Sequence, residues 1–212
     1  MFRNQRPLLF ALFMVIFPAV GFATDGGPQA GDENADHLQT AVFAGGCFWC
    51  MESAFDPVEG VVDTISGYTG GKVANPTYEA VKHGGTGHYE ALKVVYDDRQ
   101  TSYEKLLHVF WRNIDPFNPR GQFCDKGSQY RAAIFVQDDS QRKAAEKSKE
   151  ELATHTKLKI VTEILPSTEF YRAEEYHQNY YQKNPIKYRY YRTSCGRDRR
   201  LVEIWGSQAG GH

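Results

Sequence analysis

An α+β fold, a mixed and mainly antiparallel sheet with flanking helices, is predicted by three features of this 212-residue sequence. The run "YEALKVVYD" (89–97) has the period of two of a strand with one buried face. The run "TSYEKLLHVFWRNIDP" (101–116) places Leu106, Leu107, Phe110, Trp111 and Ile114 on one broad stripe, as an amphipathic helix does. Strand-like and helix-like segments then follow one another without the strict strand–helix–strand rhythm of an all-parallel sheet.

Taken in order, "TAVFAGG" (40–46) reads as a buried strand ending in a glycine turn. "CFWCMESAFDP" (47–57) then reads as a helix that Asp56-Pro57 terminates. "VVDTISGYTGG" (61–71) is a strand with a turn-rich end, and a loop over 72–88 leads to the strand 89–97. The helix 101–116 takes Thr101 or Ser102 as its cap and closes at Asp115-Pro116. A loop over 117–128 precedes a strand, "QYRAAIFVQ" (129–137). "SQRKAAEKSKEELATH" (140–155) is a polar helix capped by Ser140, and "KIVTEILPS" (159–167) is a strand. "EFYRAEEYHQNYYQKNP" (169–185) is expected to be helical though crowded with aromatics, and the remainder to be basic and irregular.

Residues 1–23 read as a secretory signal peptide: Arg3 and Arg6, an apolar run from Leu8 to Phe22, and a small-x-small site at Gly21-Phe22-Ala23. Residues 24–38 are expected to be a flexible leader and 207–212 a loose tail, leaving 39–206 as one domain. No later stretch is apolar enough to span a membrane, so the mature chain is expected to be an exported monomer, periplasmic or secreted, without membrane association. Removing two arginines lowers 25 basic residues to 23 against 26 acidic ones, a net charge of −3. That balance argues against a nucleic-acid binder.

Four cysteines stand at 47, 50, 124 and 195. An even number in an exported chain allows two structural disulfides. Cys47, however, follows Gly45-Gly46 at the strand-to-helix junction, where unpaired amides lower a thiol pKa and favour a nucleophile. Phe48 and Trp49 suit a pocket for an apolar methyl group or thioether, or simple core packing. Cys50 completes Cys-x-x-Cys, which in a thioredoxin-like protein is a redox pair, though the bulky intervening aromatics are unusual there. A zinc site needs a second close pair, and Cys124 and Cys195 are too isolated to make one. Glu90 shares a strand face with Leu92, Val94 and Tyr96, so its carboxyl should be desolvated and able to donate a proton near neutrality. Tyr130 shares a face with Ala132, Ile134 and Val136; Asp125 lies in the loop before it, and Tyr78 follows an Asn75-Pro76 turn.

Together these residues sit in motifs that resemble the A-type peptide-methionine sulfoxide reductases. The matching stretches are "GGCFW" (45–49), "YTGG" (68–71), "NPTYE" (75–79), "GHYEALKVVYD" (87–97), "DKGSQYRAAIF" (125–135) and "EYHQNYYQKNP" (175–185). The resemblance implies a ferredoxin-like core and reduction of the S epimer of methionine sulfoxide, free or in proteins. It implies Cys47 as nucleophile, Glu90 as proton donor, and Tyr78 and Tyr130 as hydroxyls on the sulfoxide oxygen. Phe48 and Trp49 would wall the substrate methyl, and Asp125 would bind and order the site. No bound cofactor or metal is implied, only an external thioredoxin-like dithiol. The C-terminal end departs from the family, with one Cys195 among arginines and no glycine-rich cysteine tail. Charge and position there favour Cys195 as the thiol that resolves oxidised Cys47, with Cys50 and Cys124 as alternatives. The rival activities are a disulfide oxidoreductase built on Cys47 and Cys50 and a disulfide-stapled binding module.

Overall fold

The computed structural model describes residues 37–211. The stretch expected as a signal peptide and most of the expected leader lie outside the described residues. Strand β1 (Leu38–Gly45) is followed by helix α1 (Phe48–Phe55), strand β2 (Val61–Thr69), the short helix α2 (Tyr78–Lys82), strand β3 (Tyr89–Asp97) and helix α3 (Tyr103–Arg112). A two-residue-strand hairpin, β4 (Gly121–Gln122) and β5 (Asp125–Lys126), leads through a 3-10 turn at Ser128–Tyr130 to β6 (Ala132–Val136) and helix α4 (Asp139–Thr156). Strands β7 (Glu163–Pro166) and β8 (Tyr171–Arg172) precede helices α5 (Tyr180–Lys183), α6 (Pro185–Ser194) and α7 (Arg197–Trp205).

The main sheet has the order β7-β6-β1-β3-β2-β8. Its centre, β6-β1-β3-β2, is antiparallel throughout and is built from β1-α1-β2-β3-α3-β6, the split βαβ arrangement of a ferredoxin-like core. Only β7 joins in parallel, to β6, which makes the sheet mixed. The expected fold class and core are therefore those observed.

The physical reason lies in which faces are apolar. On β3, Leu92 and Val94 are fully buried, Tyr96 is nearly so, and all three pack with the stripe of α3. Leu106, Leu107, Phe110, Trp111 and Ile114 are all buried there, so α3 covers the sheet as its periodicity predicts. Phe43 stacks on Phe55 and Phe110 at ring separations of 5.2 and 5.0 Å, fastening β1 to α1 and α3. The opposite face carries a smaller cluster of Val42, Ala44, Tyr89, Ala91, Ala133 and Phe135.

Of the two caps expected for α3, Ser102 serves, accepting the amide of Lys105 at 3.3 Å. Several other expectations need correction. Asp138, not Ser140, caps α4, accepting the amide of Gln141 at 2.8 Å. Thr77 caps a helical turn within the supposed loop 72–88, so Tyr78 opens α2. The segment 169–185 is not one helix, because its polar side chains serve tertiary contacts. Gln178 exchanges two hydrogen bonds with the backbone of Ser66, and Asn179 takes a left-handed φ of +54°. The supposedly irregular remainder forms α6 and α7, with Pro185 at the first helical position and Gly196 at φ +69° between them. Tyr188, Leu201 and Trp205 turn inward, which apolar periodicity alone did not reveal in so basic a segment. The tail is held as well: Gly210 donates to Arg112 O at 3.1 Å and accepts from Asn113 Nδ2 at 2.8 Å.

Candidate active site

The chain leaves β1 at Gly45 and turns at Gly46, whose φ of +82° suits glycine and whose added Cβ would fall 2.6 Å from Gln122 Cβ. Cys47 follows as the N-cap of α1. Cys50 is then the third helical residue, and N-cap and third-residue side chains meet over the first turn of a helix. Both cysteines are buried, free, and packed with Tyr188.

Cys47, Phe48, Trp49, Tyr78, Glu90, Asp125 and Tyr130 line one narrow cavity of about 60 Å³, together with Tyr191. Seven of the expected site residues thus come from five separate segments to one place. Glu90 stands on the α1 side of β3, 2 % exposed, and accepts the backbone amide of Phe48 at 3.2 Å. Burial raises its pKa to about 8, with the Asp125 charge adding to the effect; the Phe48 amide and the Tyr130 hydroxyl oppose it without overcoming it. Glu90 is accordingly a protonated acid at neutral pH. Burial also raises the pKa of the Tyr78 and Tyr130 hydroxyls, aided by the Glu90 charge, which keeps both as donors.

The two thiols titrate as a pair. Burial, the neighbouring Cys50 and the carboxylates of Glu90 and Asp125 push Cys47 well above its ordinary value. A hydrogen bond from Cys47 brings Cys50 down to about 6 against its own burial, with help from Arg197, Arg192 and the Tyr188 hydroxyl. The first negative charge therefore belongs to the hydrogen-bonded pair, whereas position at a helix start predicts it on Cys47 alone. The helix-start effect is outweighed by the burial of Cys47 beside Cys50, and the Phe48 amide is already engaged by Glu90.

The aromatic wall is itself anchored. Trp49 stacks on Tyr180 with ring centres 3.8 Å apart and donates its indole N–H to His177 Nδ1 at 3.1 Å. Burial lowers the His177 pKa to about 4, so its ring stays neutral and Nδ1 is free to accept. Glu174 holds Tyr78 in place by accepting its amide at 2.8 Å and also takes the Tyr68 hydroxyl at 2.8 Å.

Two expected candidates lie elsewhere. Cys124 and Cys195 are joined in a disulfide, so Cys195, expected to attack oxidised Cys47, carries no free thiol. Cys195 ends α6 where the β4–β5 hairpin tip meets it, and Cys50 is the free thiol left beside Cys47. Tyr191 was missed in the sequence, as were His177 and the buried Arg197. Tyr188, Tyr191, Arg192 and Cys195 recur at helical spacing, a signal that the density of charge concealed.

Residues 39–209 match the family described as "Peptide methionine sulfoxide reductase". The chain belongs to this family. A peptide methionine sulfoxide reductase MsrA from Halalkalibacterium halodurans is 51 % identical over 171 residues, which are 80 % of this chain and 97 % of that relative. The reduced form of Mxr1 from Saccharomyces cerevisiae superposes with a TM-score of 0.68 at 34 % identity, covering 71 % of this chain and 88 % of that one. Mxr1 in complex with Trx2 gives 0.51 at 25 % identity, with 72 % and 91 % covered. This peptide methionine sulfoxide reductase is therefore an oxidoreductase with a ferredoxin-like core, and the cavity at Cys47 is the place to look for its chemistry.

Proposed function

We propose that the enzyme reduces the S epimer of methionine sulfoxide, free or in oxidised proteins, with Cys47 as nucleophile and Glu90 as acid. One observation carries this: a buried thiol and a buried, protonated carboxyl line the same small cavity between aromatic walls. A sulfoxide sulfur becomes electrophilic only as its oxygen gains a proton, and Glu90 supplies one while Tyr78 and Tyr130 donate hydrogen bonds there. Phe48 and Trp49 offer an apolar surface to the S-methyl group.

The Cys47–Cys50 pair loses one proton, and the Cys47 sulfur attacks the sulfoxide sulfur. Attack joins the two sulfurs. The oxygen, protonated by Glu90, passes from the substrate sulfur to Cys47 as the S–O and sulfur–sulfur bonds break. The electron pair stays on the substrate sulfur, and methionine leaves with Cys47 oxidised to the sulfenic acid. The Cys50 sulfur then attacks Cys47, water departs, and a Cys47–Cys50 disulfide remains. A thioredoxin-type dithiol reduces that bond and is itself oxidised to a disulfide. Such a partner accords with the yeast relative crystallised with Trx2. Export by residues 1–23, and a monomeric mature enzyme that does not bind nucleic acid, complete the proposal; the apolar run behind Arg3 and Arg6 supports the first.

Turnover of each sulfoxide epimer with a thioredoxin-type reductant tests it. Methionine is expected from the S epimer alone, and equal rates on both epimers would overturn the assignment.

A further inference from the structure

Asp125 reaches the cavity wall from an insecure support. The β4–β5 hairpin pairs only with itself, through Gly121↔Lys126 and Gln122↔Asp125, and is no part of the main sheet. Two strands of two residues are marginal alone. The turn residue Phe123 has φ +52°, an unfavourable left-handed conformation for a bulky side chain.

The hairpin base is secured by Gln122, whose side chain accepts the amide of Asp115 at 2.8 Å and donates to its carbonyl at 2.9 Å. The tip is secured differently. The Arg197 guanidinium lies 4.4 Å from the Phe123 ring centre, and Cys124 is bonded to Cys195. One turn before Cys195 on α6, the Tyr191 hydroxyl donates to Asp125 Oδ2 at 2.5 Å. Two adjacent hairpin residues, 124 and 125, are thus joined to two α6 positions four residues apart, one covalently and one by a hydrogen bond.

We infer that the Cys124–Cys195 disulfide is a positioning cross-link of the sulfoxide site, clamping the hairpin to α6 so that Asp125 and Tyr191 meet at the cavity wall. It rests on the reading of the Cys47 cavity as that site, and it gives this cysteine pair a role outside the electron path. Electrons pass through Cys47 and Cys50; Cys124 and Cys195 stay bonded through turnover and fix where Asp125 stands.

The test is steady-state kinetics of the full enzyme carrying Cys124→Ser and Cys195→Ser together, with a thioredoxin-type reductant. KM for the sulfoxide should rise roughly tenfold, the scale of one hydrogen bond to a charged group, with kcat within about twofold. Asp125→Asn should give a similar rise, and combining it with the two serines should add little, which general loosening of the fold would not produce. Peptide mapping should find Cys124–Cys195 intact in the wild type during turnover. An unchanged KM, full additivity, or a stall after one methionine per enzyme would overturn the inference, the stall by showing that this pair carries electrons. If the double serine variant does not fold, Tyr191→Phe in the bonded enzyme replaces it, and an unchanged KM there is equally decisive. A wild type that releases no methionine would instead sink the assignment of the site and leave the cross-link a question of structure.

Discussion

Glu90 accepts the backbone amide of Phe48, the residue directly after Cys47, so one hydrogen bond ties the acid on β3 to the start of the helix that carries the thiol. A change at either end alters the distance between proton donor and nucleophile. Glu90→Gln preserves the acceptor for Phe48 but removes the proton. The single-turnover rate should fall about 10²–10⁴-fold, the usual contribution of a positioned general acid, measured by rapid quench. A near-normal rate across neutral pH would remove Glu90 from the chemistry.

The pH profile follows from the two shifted groups. The thiol pair loses its first proton near 6, and Glu90 loses its own near 8. The single-turnover rate of the wild type should be bell-shaped, rising through about 6 and falling through about 8. In Glu90→Gln the alkaline limb should vanish from a slower reaction. An alkaline limb that persists there belongs to another group.

The same acid makes stability pH-dependent. Its folded pKa of about 8 lies above the ordinary 4.5, so the native state holds the proton more tightly than the unfolded chain does. Its contribution is full below pH 4.5 and is lost as pH rises through 8. Urea midpoints at pH 5 and pH 9 should differ more for the wild type than for Glu90→Gln. Equal differences would show that Glu90 is not held protonated.

Cys50→Ser should keep a burst of about one methionine per enzyme and then stall with a thioredoxin-type reductant. Intact mass should show one added oxygen on Cys47. Undiminished steady-state turnover would return the resolving role to another thiol.

Gln178 tests the support of the site. Its amide bonds to both backbone groups of Ser66 and to the carbonyl of Ala173, all buried. Gln178→Ala should cost about 1–3 kcal/mol in chemical denaturation, since buried partners are left unsatisfied. A change below about 0.5 kcal/mol would mean the segment relaxes without loss.

Much of this was legible because period and motif reported the same faces. The alternation of Glu90, Leu92, Val94 and Tyr96 placed an acid on the α3-facing side of a strand, and all four are buried there. The glycine pair before Cys47 announced a sharp turn into a helix, and Gly46 makes it. What escaped notice depends on contacts distant in sequence. Residues 169–185 have helical composition, but Glu174, His177 and Gln178 spend their polar groups on Tyr68, Trp49 and Ser66, more than a hundred residues away. Arg197 reads as one charge in a basic run, yet it is 1 % exposed and donates to the carbonyls of Gly45 and Asn113. The pairing of Cys124 with Cys195 spans 71 positions, and four cysteines allow six single disulfides as well as three fully paired connectivities.

The central claim is that the sulfur of Cys47 takes the oxygen from the substrate. Its most direct test is the yield of methionine in a single turnover of fully reduced enzyme, without external reductant, on the S epimer. The wild type should release about one methionine per enzyme, and Cys47→Ser, with Cys50, Cys124 and Cys195 intact, should release none. A stoichiometric yield from Cys47→Ser would contradict the account.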